Sequence, residues 1–177
     1  MKKLTLLITL AGILCLKTAF ATEPAVAVTN FQPDRYLGLW YEIAKLPNWF
    51  ERKCVAPISA TYTKSPKNPN QLIVSNSCAT VEHKLNTTTG IASFVESSNI
   101  AKLKVTFLPK ILRWLPIGYG DYWVLSVDYN KVAIVGSPDH KYLWILARGR
   151  KLTQVEVEAA TQIAQQQGFD TTKLMVN

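Results

Sequence analysis

The chain has 177 residues, of which 48% are hydrophobic and 18% charged, a composition too apolar for a disordered chain and sufficient for one compact domain. Its formal net charge is +8, but the 20 basic residues are spread along the chain and do not form the long Lys/Arg blocks of a nucleic-acid-binding tail. Such a charge suits contact with anionic lipid or simple solubility. The chain has three cysteines, an odd number, so one of them stays unpaired after any intramolecular disulfide has formed.

Residues 1–21 have the composition of a secretory signal peptide. Two lysines precede an apolar run from 4 to 16, and Ala19-Phe20-Ala21 provides an Ala-x-Ala cleavage site. The apolar run is shorter than the about 20 residues that span a bilayer. Cys15 is a poor candidate for lipidation, because the bulky Leu14 stands where a small residue is expected. The sequence therefore predicts an exported protein, periplasmic or secreted, and argues against an outer-membrane lipoprotein.

Cleavage after Ala21 would remove Cys15 and leave Cys54 and Cys78. An even pair of cysteines in an exported protein indicates a disulfide, because the compartment is oxidising. The segment 65–70 contains two prolines and two asparagines, which predict a turn between two strands. Folding the chain about this turn brings the two cysteines nearly opposite, with a bulge absorbing the small offset. The bridge would stabilise the fold by roughly 3 kcal/mol through loop closure.

Residues 22–30 carry no pattern and are expected to form a flexible lead, while 31–177 form one domain. Short stretches rich in β-branched and aromatic residues alternate with turn signals, as in an antiparallel sandwich or barrel. The eight predicted strands span residues 38–46, 54–64, 70–79, 90–97, 101–108, 121–128, 131–137 and 142–148. A capping box at 153–156 predicts one helix that ends near Gln167 and packs outside the sheet. The tail at 172–176 could add a ninth strand.

Three local motifs occur in order along these predicted strands. They are Arg35-Tyr36-Leu37-Gly38-Leu39-Trp40-Tyr41-Glu42-Ile43-Ala44, then Asp128-Tyr129, and finally Tyr142-Leu143-Trp144-Ile145-Leu146-Ala147-Arg148. Together they resemble the lipocalin family, most closely its bacterial lipocalin and apolipoprotein D branch. The resemblance covers the chain from about 34 to 176 and implies an all-β, eight-stranded, antiparallel up-and-down barrel with one flanking C-terminal α-helix. Val127 is a small departure, because Thr often precedes Asp-Tyr in the family.

The resemblance also implies which residues determine the fold. Trp40 would lie across the closed end of the barrel with Arg148 stacked on it, a cation–π contact of about 0.5 to 2 kcal/mol. The structural motif then consists of Gly38, Trp40, Asp128, Tyr129 and Arg148. Loss of these residues should lower stability before it alters ligand choice.

Side-chain alternation from Trp40 and Arg148 predicts the lining of the barrel. The expected ligand-binding side chains are Glu42, Ala44, Ile58, Ala60, Tyr62, Leu72, Val74, Leu103, Val105, Phe107, Tyr122, Trp144 and Leu146. The strand at 121–128 is apolar on both faces, so alternation does not decide which of its faces points inward. A lining of this kind suits a hydrocarbon chain, and burial of about ten methylenes contributes on the order of 8 kcal/mol before association costs. Glu42 is the one carboxylate in this apolar lining. It is expected either to contact the ligand or to be a structural partner of an arginine or a backbone group near the closed end.

Two loops at the expected mouth of the barrel carry large apolar residues: Trp49, Phe50, Ile111, Leu112 and Trp114. Basic residues stand beside them at Lys53, Lys110 and Arg113. This combination fits contact with a membrane surface that bears anionic headgroups. Folding of the two tryptophans over the mouth as a lid is an equally weighted alternative, and the two are compatible.

The sequence gives little support to catalysis. His83 and His140 are isolated, no metal-ligand spacing is present, and pairing of Cys54 with Cys78 leaves no thiol nucleophile. We therefore expect no catalytic residue, metal or cofactor, and no nucleic-acid partner. The principal hypothesis is an exported protein that binds a fatty acid, a lysophospholipid or a similar membrane-derived lipid for envelope lipid transport, storage or repair.

Two alternatives stay open. One is a lipocalin-fold isomerase or lipid-modifying enzyme that uses Glu42 or a tyrosine of the lining as acid or base. The other is a structural envelope or host-interaction protein with a collapsed barrel. The oligomeric state does not follow from the sequence.

Overall fold

A computed structural model describes residues 23–177, and the predicted signal peptide with Cys15 lies outside the described residues. The strands are β1 (Gly38–Lys45), β2 (Cys54–Lys64), β3 (Gln71–Thr80), β4 (Leu85–Phe94), β5 (Lys102–Thr106), β6 (Tyr119–Asp128), β7 (Val132–Gly136), β8 (Leu143–Ala147) and β9 (Met175–Val176). The helices are α1 (Pro33–Tyr36) and α2 (Gln154–Gln166), with single 3-10 turns at Lys110–Leu112 and Thr171–Lys173.

The first eight strands close into an antiparallel barrel. Each pairs with its neighbour in the sequence from β2 to β8, and β1 completes the ring by pairing with both β8 and β2. Closure in this way satisfies the hydrogen-bonding edges that an open sheet would expose. The short β9 pairs with the end of β1. The predicted barrel with one C-terminal helix is confirmed, and none of the helices within 23–177 is long and apolar enough to cross a membrane.

β4 differs most from its predicted bounds of 90–97. It begins at Leu85 and pairs with β3 from Ala79↔Leu85 to Gln71↔Ser93. The first half of β4 is exposed and, after Leu85, polar, so it carries no alternation that could be recognised in the sequence. Its length follows from the long partner strand and not from its own composition.

The segment before α1 contacts the barrel, so the expectation of a flexible lead does not hold for residues 25–28. Ala25 and Ala27 are buried. The backbone N–H of Val28 donates to the carbonyl of Val124 at 2.8 Å. These residues carry no hydrophobic periodicity in the sequence, because they bind to the barrel through small side chains and backbone hydrogen bonds.

Helix α2 lies against the outside of the barrel. It begins at the predicted capping box, in which the Thr153 hydroxyl accepts from the backbone N–H of Glu156 and the Glu156 carboxylate accepts from the N–H of Thr153. Ala160 and Ala164 are buried with Ile145 in a cluster between the helix and the strands. A second cluster fills the closed end of the barrel around Trp40. The interior of the barrel between this closed end and the loops at the opposite end contains the candidate site.

Candidate ligand-binding cavity

The barrel contains a cavity of about 630 Å³, within the range of small-molecule sites. The structure brings ten of the thirteen predicted ligand-binding residues to its wall: Glu42, Ile58, Ala60, Tyr62, Val74, Val105, Phe107, Tyr122, Trp144 and Leu146. The wall is mainly aliphatic and aromatic. The inward face of β6, which alternation left open, is occupied by Tyr122.

Leu72 and Leu103 are inside the barrel but do not line the cavity. Both are buried in the closed-end cluster with Trp40 and Phe94. Alternation places a side chain on one face of a strand, but it does not give the depth at which the packed core ends and the cavity begins. These two predicted site residues are therefore core residues.

A β-bulge in β1 turns Ala44 away from the cavity. Opposite β8, Glu42 pairs with Leu146 whereas Ala44 pairs with Ile145, so β1 has one extra residue between the two pairs. Past the bulge the alternation is reversed. Ala44 is buried in the cluster beneath α2, and Lys45 takes the inward side of the strand. The expectation that Ala44 lines the site was wrong, because it assumed an unbroken pleat.

Lys45 joins two carboxylates of the cavity wall into a buried ionic cluster. Its ammonium lies 2.9 Å from Glu42 Oε1 and 2.6 Å from Glu51 Oε2. The side-chain amide of Asn177 donates to Glu42 Oε1 at 2.9 Å, and that of Asn48 donates to Glu51 Oε2 at 3.0 Å. The partner of Glu42 is thus a lysine three residues away. Sequence reasoning missed this cluster, because Lys45 reaches it only through the bulge.

The cluster shifts the pKa of each of its two best-buried members. Burial raises the pKa of Glu42 from 4.5 to about 7, the charge on Glu51 adds to the rise, and hydrogen bonds from Asn177 and Lys45 oppose it. Burial by itself would lower the pKa of Lys45, but its two carboxylate partners outweigh burial and raise that pKa above its ordinary value. Lys45 therefore stays a cation, while Glu42 changes charge near neutral pH.

Three tyrosines form a hydrogen-bonded group between the closed end and the cavity. The Tyr122 hydroxyl lies 2.7 Å from the hydroxyls of both Tyr36 and Tyr62. Burial raises the pKa of all three, so each stays neutral. Tyr62 and Tyr122 line the cavity, whereas Tyr36 comes from α1, an element that sequence reasoning missed.

The structural motif lies at the closed end. The Arg148 guanidinium stands 3.8 Å from the centre of the Trp40 ring. It also donates to the backbone carbonyls of Arg35, Leu39 and Tyr129 at 2.8 to 2.9 Å. One arginine thus links the start of β1, the turn after β6 and the end of β8.

The other motif residues also have local structural roles. Gly38 has a φ of +91°, a conformation that glycine adopts at little cost. The Asp128 carboxylate accepts from the backbone N–H of Asn130 at 2.9 Å and so fixes the turn before β7. The Tyr129 hydroxyl accepts from the N–H of Gln32 at 2.8 Å.

Cys54 and Cys78 form the predicted disulfide, with their Cα atoms 5.5 Å apart. Both cysteines line the cavity. The register of β2 against β3 shifts between Val55 and Ser59, which is the bulge that the offset between the cysteines required. The bridge therefore ties together the ends of two strands beside the site.

The predicted mouth residues divide into two groups. Trp49 and Phe50 line the cavity and also face solvent, with 69% of Trp49 exposed. Ile111, Leu112 and Trp114 do not line the cavity, and Trp114 is 78% exposed. Trp114 thus does not act as a lid in this structure.

The two histidines are not part of the cavity wall. His140 makes a ring-nitrogen hydrogen bond of 2.8 Å to the carbonyl of Gln167. Within residues 23–177, no group of three or more His, Cys, Asp or Glu side chains could hold a metal ion.

Residues 31–177 match the family described as the lipocalin-like domain, and the chain belongs to the lipocalin family. It is 36% identical to temperature-induced lipocalin-1 of Arabidopsis thaliana, over 83% of this chain and 78% of that protein. It is 35% identical to apolipoprotein D of Macaca fascicularis, over 88% of this chain and 80% of that one.

The outer membrane lipoprotein Blc of Escherichia coli (strain K12) is 32% identical, over 93% of this chain and 90% of that protein. The chain therefore lies in the branch of bacterial lipocalins and apolipoprotein D. Among solved structures, insecticyanin from the tobacco hornworm Manduca sexta superposes with a TM-score of 0.67 at 23% identity, over 89% of this chain and 84% of that one. That similarity concerns the fold alone.

Proposed function

We propose that this lipocalin binds a single-chain, membrane-derived lipid, such as a fatty acid or a lysophospholipid, in its barrel. The observation that carries the proposal is the 630 Å³ cavity, whose wall is mainly aliphatic and aromatic. Membership of the lipocalin family supports a small hydrophobic ligand in general. A hydrocarbon chain suits the wall because each buried methylene contributes about 0.8 kcal/mol.

The proposed role is lipid transport, storage or repair in the cell envelope by an exported protein. The predicted signal peptide supports export, and a relative is named an outer membrane lipoprotein. Intact-mass measurement of native material tests this part. We expect a chain that starts after Ala21, without an acyl group and with one disulfide; a mass that includes Cys15 with an attached lipid would contradict it.

Tryptophan fluorescence tests lipid binding, because Trp144 lines the cavity. Titration with saturated acyl chains of increasing length should give an affinity that rises until the cavity is filled, by up to about 0.8 kcal/mol per methylene. Trp144→Ala removes the fluorescent reporter, so its binding is measured by calorimetry, where it should be weaker with the fold intact. Trp114→Ala, which alters an exposed residue outside the cavity, should bind as the wild type does. An affinity independent of chain length would contradict the proposal.

A second proposal concerns the mouth, which we suggest docks on an anionic bilayer. Ile111 and Trp114 are 79% and 78% exposed, and Lys110 and Arg113 lie beside them in the sequence. Large exposed apolar side chains next to cations are typical of interfacial surfaces. Docking there would bring the cavity opening to the lipid source.

Vesicle co-sedimentation tests this docking. The protein should bind vesicles that contain phosphatidylglycerol more strongly than pure phosphatidylcholine vesicles, and the difference should shrink at high salt. An Ile111→Ser, Trp114→Ser double variant should lose most of the binding. Val95→Ser is the matched control, because Val95 is an exposed apolar residue in the loop between β4 and β5, at the opposite end of the barrel. Equal binding by the double variant and the control would contradict docking through the mouth.

A further inference from the structure

The ionisable side chains of the cavity wall carry one sign of charge. Glu42, Glu51 and Asp121 line the cavity, and no Lys, Arg or His of the described residues does. This is the opposite of the chain as a whole, whose net charge is +8. The acidic wall therefore does not follow from overall composition.

The buried ionic cluster leaves part of this negative charge uncompensated. Lys45 is the cation that pairs with both Glu42 and Glu51, and within residues 23–177 neither carboxylate has a second cationic partner. Above the pKa of about 7 that burial gives Glu42, two carboxylates around one ammonium carry a net charge of −1. Asp121 lies 3.8 Å from Lys104, whose side chain is about half exposed and thus screened by water.

Four aromatic rings stand beside the carboxylates at the mouth end of the wall. Phe50 lies 5.6 Å from Tyr142 and 6.3 Å from Trp144, and Trp49 lies 5.7 Å from Phe50, measured between ring centres. The indole N–H of Trp144 points to Glu51 Oε1 at 3.4 Å. Aromatic faces carry a negative electrostatic potential, so rings and carboxylates together attract a cation.

A further polar group of the wall lacks a partner. Asn76 lines the cavity, and its side-chain oxygen is buried without a hydrogen bond from the described residues. An acceptor in this state is unfavourable until a donor reaches it. A ligand with N–H or O–H groups supplies such a donor, whereas an ionised fatty acid does not.

We propose that the cavity selects a single-chain lipid whose polar end is a protonated amine, such as a sphingoid base or another long-chain amine, over the fatty acid of equal chain length. This inference rests on the proposed function and narrows it. The ammonium lies near Glu42, Glu51 and the aromatic rings. A carboxylate in the same position would add a negative charge to an acidic wall, where the ammonium of Lys45 is already paired with Glu42 and Glu51.

Isothermal titration calorimetry with dodecylamine, dodecanol and dodecanoate at about pH 8 tests the selection, because the three ligands share one chain and differ in charge. We expect dodecylamine to bind about tenfold or more tightly than dodecanoate, with dodecanol between them. Binding of dodecanoate as tight as that of dodecanol would overturn the inference. Equal binding of all three would overturn the inference alone, and no binding of any would overturn the proposed function with it.

A variant locates the preference. Glu42→Gln removes one carboxylate of the wall and keeps the pair of Lys45 with Glu51, so the ratio of the amine and carboxylate affinities should fall severalfold. Glu82→Gln is the matched control, because Glu82 is exposed and pairs with Lys84 outside the cavity. An unchanged ratio in Glu42→Gln would overturn the assignment to this cluster. The wild-type ligand series decides the selectivity by itself if the variant does not fold.

Discussion

Replacement of Glu42 by Gln should change how the stability of this protein depends on pH. The carboxyl has a pKa of about 7 in the folded chain against 4.5 ordinarily, chiefly because it is buried. Below about pH 4.5 it is protonated in both the folded and the unfolded chain. As pH rises from there to about 7, the unfolded chain releases the proton while the folded chain retains it, so stability falls.

The size of the effect follows from the difference between the two pKa values. At 1.36 kcal/mol for each pKa unit, the wild type loses about 3 kcal/mol of stability over this interval through Glu42. Glutamine resembles the protonated acid and does not titrate. Its amide oxygen can still accept from the two groups that donate to the Glu42 carboxylate, Lys45 and Asn177. The free energy of unfolding of the variant, relative to that of the wild type, should therefore increase as pH rises.

Urea unfolding at a series of pH values from about 4.5 to about 8 measures this. The free energy of unfolding of Glu42→Gln minus that of the wild type should increase by about 3 kcal/mol across the series. Glu82→Gln, which alters an exposed carboxylate, should follow the wild type. Parallel curves for the wild type and Glu42→Gln would refute the reasoning, and a difference that grew toward low pH would mean that the pKa of Glu42 is lowered by folding.

Three other variants test the interactions that hold the barrel and its helix in place, each by urea unfolding. Arg148→Ala removes a cation–π contact and three hydrogen bonds to carbonyls, so it should lower the free energy of unfolding by about 3 kcal/mol. Arg150→Ala is the control, because Arg150 lies 5.5 Å from an aromatic ring, and it should lower this free energy by less than about 1 kcal/mol. Equal losses would contradict the role of Arg148. The Cys54→Ser, Cys78→Ser pair should cost roughly 3 kcal/mol with the circular dichroism preserved, and no loss would contradict the loop-closure argument. Thr153→Ala should cost about 1 kcal/mol, because it removes the cap of α2, and an unchanged midpoint would contradict this.

Much of the barrel could be predicted because its signals are local. Period-two alternation and turn residues give the strands, and parity places residues such as Ile58 and Val74 on the inner face. The reversal at Ala44 and Lys45 could not be predicted, because a bulge depends on the register with β8, far along the chain. For the same reason the ionic cluster around Lys45 was missed, although each of its members is visible in the sequence.

The depth of the cavity was the other quantity beyond the sequence. Leu72 and Leu103 share their faces with Val74 and Val105, and all four pack in or against the core cluster, yet only the two valines also line the cavity. The boundary between core and cavity is set partly by Tyr36, which packs into the closed end of the barrel and contacts Tyr122. Tyr36 belongs to α1 and not to a strand, so strand alternation does not predict its position. A four-residue helix gives too short a pattern to be recognised.

The contacts of Arg148 have a consequence for how the chain folds. This arginine bonds to Arg35 and Leu39, which precede it by 113 and 109 residues. Contacts between such distant positions form slowly, because the entropy of closing a long loop opposes them until the intervening strands have paired. The closed end of the barrel is therefore sealed only after β8 has been synthesised and has docked beside β1. A ribosome-bound chain that ends before Arg148 would hold Trp40 without its stacked partner and would lack the hydrogen bonds from that arginine to Arg35, Leu39 and Tyr129.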